Sequence, residues 1–537
     1  MRGDEALARG ALAAGVRLVT GYPGSPATGV FDALLRLADA EACHIEWAPN
    51  EKVALEMAFG ASLAGSRALV VLKSVGMNIA LDPLATLALS GSHAGLVILL
   101  GDDPGGWASQ NEQDSRWLAR VAEAPVVEPT GVDQAARIMS QAFSWSEAIG
   151  SPVIVRIVRA LALAEGTPQD PWQLPPSNKR FLHKRNRWIV LPYLVVRQRH
   201  NLHARLRQLQ GMLEASPYDV ASGQGENAIL CVGYTYSKLR TLLGEGNTSW
   251  RVLGLSSVWP LPEKGLLAWL EGAERVLVLE EGGPFVEQQV RALAQREGLG
   301  IEILGRETRS IPLEGELAAR DIAFALSRIS PEAAPRTAED VARSMPSTVP
   351  LCDDCPYRPL FEALIAAMER QGGRKRHIIV GETGCMVRAN LPPMELFDVK
   401  YSLGSGLGIG SGLAVSDPRH RVVTLVGDSS FFHSDINAMP YVAQLQPPML
   451  VIVLDNGTTA LTGGQAHPGS ASDSRGSARQ RVADLAQVIA GCGVTPEVLT
   501  LADRDRLEER LEATLAANAL RVIVFRGPCP RYVSSSP

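Results

Sequence analysis

Short, unbroken apolar runs recur along this chain, each set between longer stretches of helical periodicity. Residues 16–20, 68–72, 96–100 and 153–157 are such runs, and helical patterns span 53–64 and 133–149. A strand with no polar alternation must be covered on both faces. Strands of that kind alternating with helices imply parallel, doubly wound sheets. The same logic returns twice. Runs at 228–232, 251–255, 275–279 and 300–304 form a second set, and runs at 377–380, 422–426, 449–454 and 521–525 a third. The expected fold class is therefore α/β, with three doubly wound units.

Composition shifts mark the joints. Residues 167–177 are rich in Pro and polar groups, and a basic run, 179–187, leads into further Arg and His up to Arg207. Two readings of this segment stand: a solvated connector, or a contact surface for an acidic partner. A second stretch, 330–350, is rich in Pro, Ala and Ser. The expected layout is a first domain over 1–165, a basic linker or arm over 166–225, a second domain over 226–330, a linker over 331–350 and a third domain over 351–537. A chain of 537 residues is long enough for three to four domains.

Bulk properties exclude several classes. Net charge is -5, so no global basic field invites nucleic acid. The longest uncharged stretch, 83–101, is broken by Ser90, Gly91, Ser92 and His93, which fits a helix and a strand better than a membrane span. Charged residues precede any apolar run at the N-terminus, unlike a signal peptide. The seven cysteines are odd in number and mostly isolated, which suits a reducing cytoplasm.

The third unit carries the most informative segment. Its 422–426 run is followed by Gly427-Asp428-Ser429-Ser430, and its 449–454 run by Asp455-Asn456-Gly457. Open α/β sheets bind ligands beyond the carboxyl ends of their strands. Gly427 permits close approach of a phosphate. Asp428 and Asn456 supply the hard oxygens that Mg²⁺ takes together with phosphates. Residues 434–441 are expected to start a helix whose N-terminus faces an anion. Either motif alone reads equally as a turn after a strand; the two together, 28 positions apart across one helix, do not.

In the first unit, Asn50-Glu51-Lys52-Val53-Ala54 opens a helix that continues through Gly60-Ala61-Ser62. A carboxyl group such as Glu51, with its pKa raised by an apolar site, can protonate a ring nitrogen. The plainer role is favourable charge at a helix N-terminus. Glu56 is the alternate acid, deeper in the helix.

These two half-sites resemble the pyrimidine and diphosphate signatures of thiamine-dependent enzymes. The likeness extends further. Gly21-Tyr22-Pro23-Gly24-Ser25-Pro26, Lys73-Ser74-Val75-Gly76-Met77-Asn78, Asp102-Asp103-Pro104-Gly105, Cys352-Asp353-Asp354-Cys355-Pro356, Gly381-Glu382-Thr383-Gly384-Cys385 and Gln465-Ala466-His467-Pro468-Gly469 follow in order. Together they resemble the large subunit of indolepyruvate:ferredoxin oxidoreductases.

That resemblance implies a fold of pyrimidine-binding, transketolase C-terminal-like and diphosphate-binding units. It implies oxidative decarboxylation of an aryl 2-oxo acid to acyl-coenzyme A, with thiamine diphosphate and Mg²⁺ as cofactors. A smaller subunit, an external electron carrier and a homodimeric core are the implied partners. Asp428, Asn456 and the Thr458 carbonyl are the implied metal ligands. Gly381, Gly384, Cys385, Gly427, Ser429 and Ser430 join them around the cofactor, Glu51 activates the pyrimidine, and Ser25 meets the substrate carboxylate. His433 and His467 are catalytic candidates, although a lone His is more often structural.

Three departures matter. Ser74 stands where the family commonly has His, and Gly105-Gly106-Trp107 is atypical. The family's C-terminal ferredoxin-like segment has no counterpart in this sequence. An iron–sulfur site needs four Cys ligands. Only Cys352 and Cys355 form a Cys-x-x-Cys pair, read as an entrance loop or a zinc half-site, so no cluster is expected in this chain. Two other outcomes remain open: a non-oxidative decarboxylase or carboligase, and a partner that keeps the fold without catalysis.

Overall fold

The computed structural model describes residues 1–177, 179–183, 185–224, 227–244, 250–330 and 349–533. The chain divides into two compact units, Met1–Glu46 with Glu51–Pro346, and Trp47–Asn50 with Ser347–Pro537. All but the last two residues of the expected 331–350 linker lie outside the described residues. No helix among the described residues is long and apolar enough to cross a membrane.

The first unit holds two sheets. In the larger, Val153–Val158, Leu96–Asp102, Ala68–Lys73 and Leu18–Gly21 lie side by side in that order, all parallel. Every residue of these four strands is buried, as expected for apolar runs covered on both faces. The edge strand Ser257–Trp259 comes from the second stretch of α/β sequence and pairs antiparallel with Val126–Val127. The second sheet runs Glu302–Leu304, Arg275–Leu279, Asn227–Val232, Arg251–Leu255 and Val220–Ser222, parallel except at its last pair.

Within the stretch expected as a linker or arm, residues Pro192–Leu213 form a 22-residue helix. Leu194, Leu202, Leu209 and Leu213 are buried, and the helix packs on Ser74–Ser90 and Val132–Ile149. Its many charges masked a seam of one leucine every few residues.

The second unit carries a six-stranded parallel sheet, ordered Val399–Lys400, His377–Gly381, Arg421–Gly427, Met449–Asp455, Arg521–Arg526 and Glu497–Thr500. Its core lies on both faces. Val423, Leu425, Leu450 and Ile452 face one cluster with Phe361 and Leu364, while Val422, Val426, Met449 and Val451 face another with Phe431 and Met439. The parallel direction of Arg421–Gly427 and Met449–Asp455 brings their ends, and so Asp428 and Asn456, to one carboxyl edge.

Candidate functional site

In the second unit, Arg421–Gly427 and Met449–Asp455 are neighbouring parallel strands, with Gly427 opposite Leu454. Asp428 and Asn456 follow them directly and are almost fully buried. Asp428 Oδ2 accepts hydrogen bonds from the Asn456 and Gly457 amides, at 3.0 and 2.8 Å. Its Oδ1 accepts from the Ser429 amide at 2.7 Å. Asn456 Oδ1 accepts from the Thr458 amide at 3.0 Å. A hydrogen bond from Thr459 Oγ1 to Ser429 Oγ, 3.0 Å, ties the two strand-end loops together.

The chain turns into helix at Asp428 itself rather than at residue 434. One turn, Asp428–Ser430, passes through a π turn, Phe431–Asp435, into the helix Ile436–Leu445. The first-turn amides thus sit directly at the strand end, where an anion is favoured. The extra residue in the π turn is invisible to a periodicity of 3.6. A Cβ on Gly427 would meet nothing closer than Met386 Cε at 3.5 Å. Packing within the protein therefore does not demand glycine there; the space is free for a ligand.

His433 lies in the π turn, is buried, and shares a hydrogen bond between Nδ1 and Ser434 Oγ at 2.7 Å. Asn50 Nδ2 donates to its carbonyl at 3.0 Å. His467 stacks on Phe432, with ring centroids 5.7 Å apart. Its buried Nε2 makes no hydrogen bond, yet sits 3.2 Å from Asp428 Oδ2, near enough to pair but misaligned. Burial, followed by the Asp428 charge, pushes the Asp455 carboxyl up to about 6.

Gly381 ends its strand against the Phe397 ring, where a Cβ would clash. The next residue, Glu382, is fully buried and accepts hydrogen bonds from Ser430 Oγ and the Gly406 amide. Burial raises the carboxyls of Glu382 and of buried Asp435, and the Glu382 charge raises Asp435 further. Neither carboxyl stood out in the sequence, because nothing local pairs residues 53 positions apart.

Gly384 leads into the turn Cys385–Asn390. Cys385 lines one small cavity together with Cys352, Cys355, Cys529, Tyr357 and Asn456. Burial pushes the Cys385 thiol up to about 12 and also raises Cys355; the other cysteines of the group contribute to both shifts. Arg388 Nη1 lies 3.9 Å from Cys352 Sγ. The Tyr357 hydroxyl is buried and has no hydrogen-bond partner among the described residues. The sequence shows one Cys-x-x-Cys pair; the fold brings two single cysteines to it. Among the described residues, no group of His, Cys, Asp and Glu is spaced to hold a single metal ion.

In the first unit, Glu51 opens the helix Glu51–Leu63 and is buried. Gly76 packs on its carboxyl: a Cβ there would come within 2.3 Å of Oε1. Ser25 precedes a cis Pro26 in the loop after Leu18–Gly21, and the Gly24 amide donates to Thr28 Oγ1 at 2.8 Å. Lys73 ends the neighbouring strand and runs under Gly24, whose Cβ would clash with it. Its ammonium donates to the Ala108 carbonyl at 2.6 Å. Burial lowers Lys73 to about 8, against the opposing pull of Asp103. In the sequence Lys73 is one residue of a motif string; its burial is a tertiary fact.

Two family models match: the thiamine-diphosphate-binding family of pyruvate flavodoxin/ferredoxin oxidoreductases over residues 9–165, and the C-terminal TPP-binding domain of thiamine pyrophosphate enzymes over 382–525. Indolepyruvate oxidoreductase subunit IorA of Archaeoglobus fulgidus is 32% identical, over 98% of this chain and 86% of that one. This chain belongs to the IorA family. The IorA subunit of Pyrococcus abyssi is 29% identical, over 99% of this chain and 85% of its own length. It follows that the chain is a thiamine-diphosphate-dependent 2-oxo acid oxidoreductase subunit. Among solved structures, a 2-oxoglutarate:ferredoxin oxidoreductase from Magnetococcus marinus matches with a TM-score of 0.50 and 15% identity, over 62% of this chain and 65% of the other, a likeness of fold.

Proposed function

We propose that this IorA-family chain oxidatively decarboxylates an aryl 2-oxo acid of the indolepyruvate type, passing the acyl group to coenzyme A and electrons to an external carrier. The observation that best supports an oxidative outcome is the four-cysteine cavity that Asn456 also lines. Thiamine diphosphate, when bound, supplies a nucleophilic carbon and an electron sink. Asp428, Asn456 Oδ1 and the Thr458 carbonyl hold Mg²⁺; an all-oxygen donor set suits that ion, and a cation relieves the crowding of Asp428 and Asp455. Ser429, Ser430 and the open space at Gly427 receive the diphosphate, with Gly381, Gly384 and Cys385 beside it.

Glu51 holds a proton at the pyrimidine ring nitrogen, and Gly76 leaves its carboxyl no room to swing away. Ser25 orients the substrate carboxylate. His433 and His467 hold or move a proton, His467 through a nitrogen that makes no hydrogen bond among the described residues. Cys352, Cys355, Cys385 and Cys529, as thiolates, would hold an iron–sulfur cluster, which takes four such ligands. This proposal runs against the sequence expectation of no cluster in this chain, which rests on the single Cys-x-x-Cys pair. A smaller subunit, a homodimeric core and a reducing cytoplasm complete the proposal; all seven cysteines are free thiols.

The test is anaerobic. Chain and smaller subunit, with thiamine diphosphate and Mg²⁺, are given indolepyruvate and a viologen dye. Dye reduction that requires coenzyme A is the expected result. Aldehyde released without any acceptor would show a non-oxidative decarboxylase instead. Glu51→Gln should abolish turnover while leaving the protein folded.

A further inference from the structure

The basic segment that the sequence could not assign converges on a cavity. Residues 179–207 contain nine Lys and Arg and no Asp or Glu. Lys179, Arg187, Arg197 and Arg205 from this segment line a cavity of about 1070 Å³ together with His93 and Glu147. Glu147 offsets part of the Lys179 charge, but its oxygens are held elsewhere. Arg67 holds both its oxygens at 3.0 Å, and the Gly95 amide donates to one of them.

Among the described residues, none of the four cations has a carboxylate within ion-pair distance. Arg205 spends Nη2 on the Ala88 and Leu89 carbonyls, at 2.5 and 3.1 Å, and its Nε is buried with no partner. Arg187 spends Nη2 on the Ser92 carbonyl at 2.5 Å, and Lys179 donates to the His93 carbonyl at 2.7 Å. Those carbonyls lie at or just beyond the end of the helix Ser74–Ser90, whose negative pole offsets part of the charge. A half-charge at one helix end cannot balance four cations. Burial, with Arg187 as the second cause, lowers Arg205 to about 10, and burial lowers Arg187 as well. Two desolvated guanidiniums side by side are costly unless an anion joins them. Planar guanidinium forks match the oxygens of a phosphoryl group.

We propose that this cavity is a binding site for a phosphoryl anion carried on a small, nucleotide-sized molecule, clamped by Arg187 and Arg205 and supported by Lys179 and Arg197. It lies at the amino ends of the parallel strands, beside the start of Leu96–Asp102, whereas Ser25 and Lys73 follow the carboxyl ends. It is therefore a site apart from the one that receives the 2-oxo acid. The cavity exceeds what inorganic phosphate alone would fill.

Calorimetry on the thiamine-diphosphate- and Mg²⁺-loaded protein at low ionic strength tests this, because the cofactor then blocks its own phosphate-binding loop. Inorganic phosphate, ADP and adenosine 3′,5′-bisphosphate are titrated in turn, with sodium chloride of equal ionic strength as the blank. Saturable binding, tighter for the nucleotides than for phosphate, is expected. Tighter binding of phosphate itself would make the free ion the ligand and still support the site. Arg187→Gln and Lys179→Gln should each weaken binding by about tenfold. Arg205→Lys, which keeps charge but loses the fork, should fall between them and the wild type. Circular dichroism shows whether each variant is folded. The proposal is overturned if none of the three ligands saturates the folded protein, or if binding persists unchanged in both Gln variants.

Discussion

At the carboxyl end of the first sheet, buried charges are neutralised within the protein. Arg156 binds Asp102 Oδ2 at 2.7 Å and Glu128 Oε2 at 2.8 Å. Arg116, with no exposed surface, binds Asp114 at 2.7 Å and Glu280 at 2.8 Å. Both arginines also donate to the Glu281 carbonyl, so the network joins the first sheet to the second. At the carboxyl end of the third sheet the charges are left open. Asp428 has a misaligned His467, and Asp455 has Arg526 at 3.4 Å, whose Nη2 is given to Asp484. Glu382 and Asp435 crowd one another. Burying a charge is tolerated when it is paired, so the Arg116 and Arg156 network reads as scaffold and the open charges around Asp428 as a place prepared for a ligand.

Breaking a scaffold pair should have the largest cost. Arg116→Met leaves Asp114 and Glu280 buried without their cation, and should destabilise the first unit by about 3–5 kcal/mol. Thermal denaturation reads this as a clear drop in melting temperature; an unchanged melting temperature would mean that the network contributes nothing. On the open edge, Asp428→Asn, which keeps a carbonyl acceptor for the buried Asn456 and Gly457 amides, should do little to folding. It should instead weaken thiamine diphosphate and Mg²⁺ binding about a hundredfold, measured by equilibrium dialysis. Removing the metal with EDTA from the wild type should mimic the variant.

Cys385→Ser sharpens the comparison at the cysteine cavity. Cofactor affinity should survive, while visible absorbance of the anaerobically reconstituted protein falls and dye reduction drops about tenfold or more. Retained absorbance would remove Cys385 from the ligand set. The smallest effect concerns Lys73, a buried cation on the paired side with weak pairing of its own. Its folded pKa of about 8 lies below the unfolded value, so the folded protein sheds a proton that the unfolded chain keeps. The cost of burying the charge is full below pH 8 and fades as pH rises toward about 10.4. Stability of the wild type should therefore gain on Lys73→Met across that window, by about 1–2 kcal/mol, less than the roughly 3 kcal/mol implied by the shift alone. A pH-independent difference would show that the ammonium is well solvated.

Much of this was legible in the sequence because its signals are local. The apolar runs gave the twelve main strands to within a residue or two, since both-face burial leaves no other reading. Asp428 and Asn456 could be paired because each follows such a run and one helix joins them. The edge strand Ser257–Trp259 was not legible, because three residues carry no period and its partner lies 130 positions away. The helix Pro192–Leu213 was hidden under its surface charges.

What the sequence alone determined is the α/β class and the two thiamine half-motifs, both written in short-range spacing that any parallel sheet must respect. What only the tertiary structure decided is which distant, unpatterned residues meet. Cys385 and Cys529, 144 positions apart, reach the Cys352–Cys355 pair. Arg187 and Arg205 face one cavity, and among the described residues neither has a carboxylate within ion-pair distance. Side-chain identity is local, but the neutralisation of a buried charge is settled by whatever the fold brings beside it.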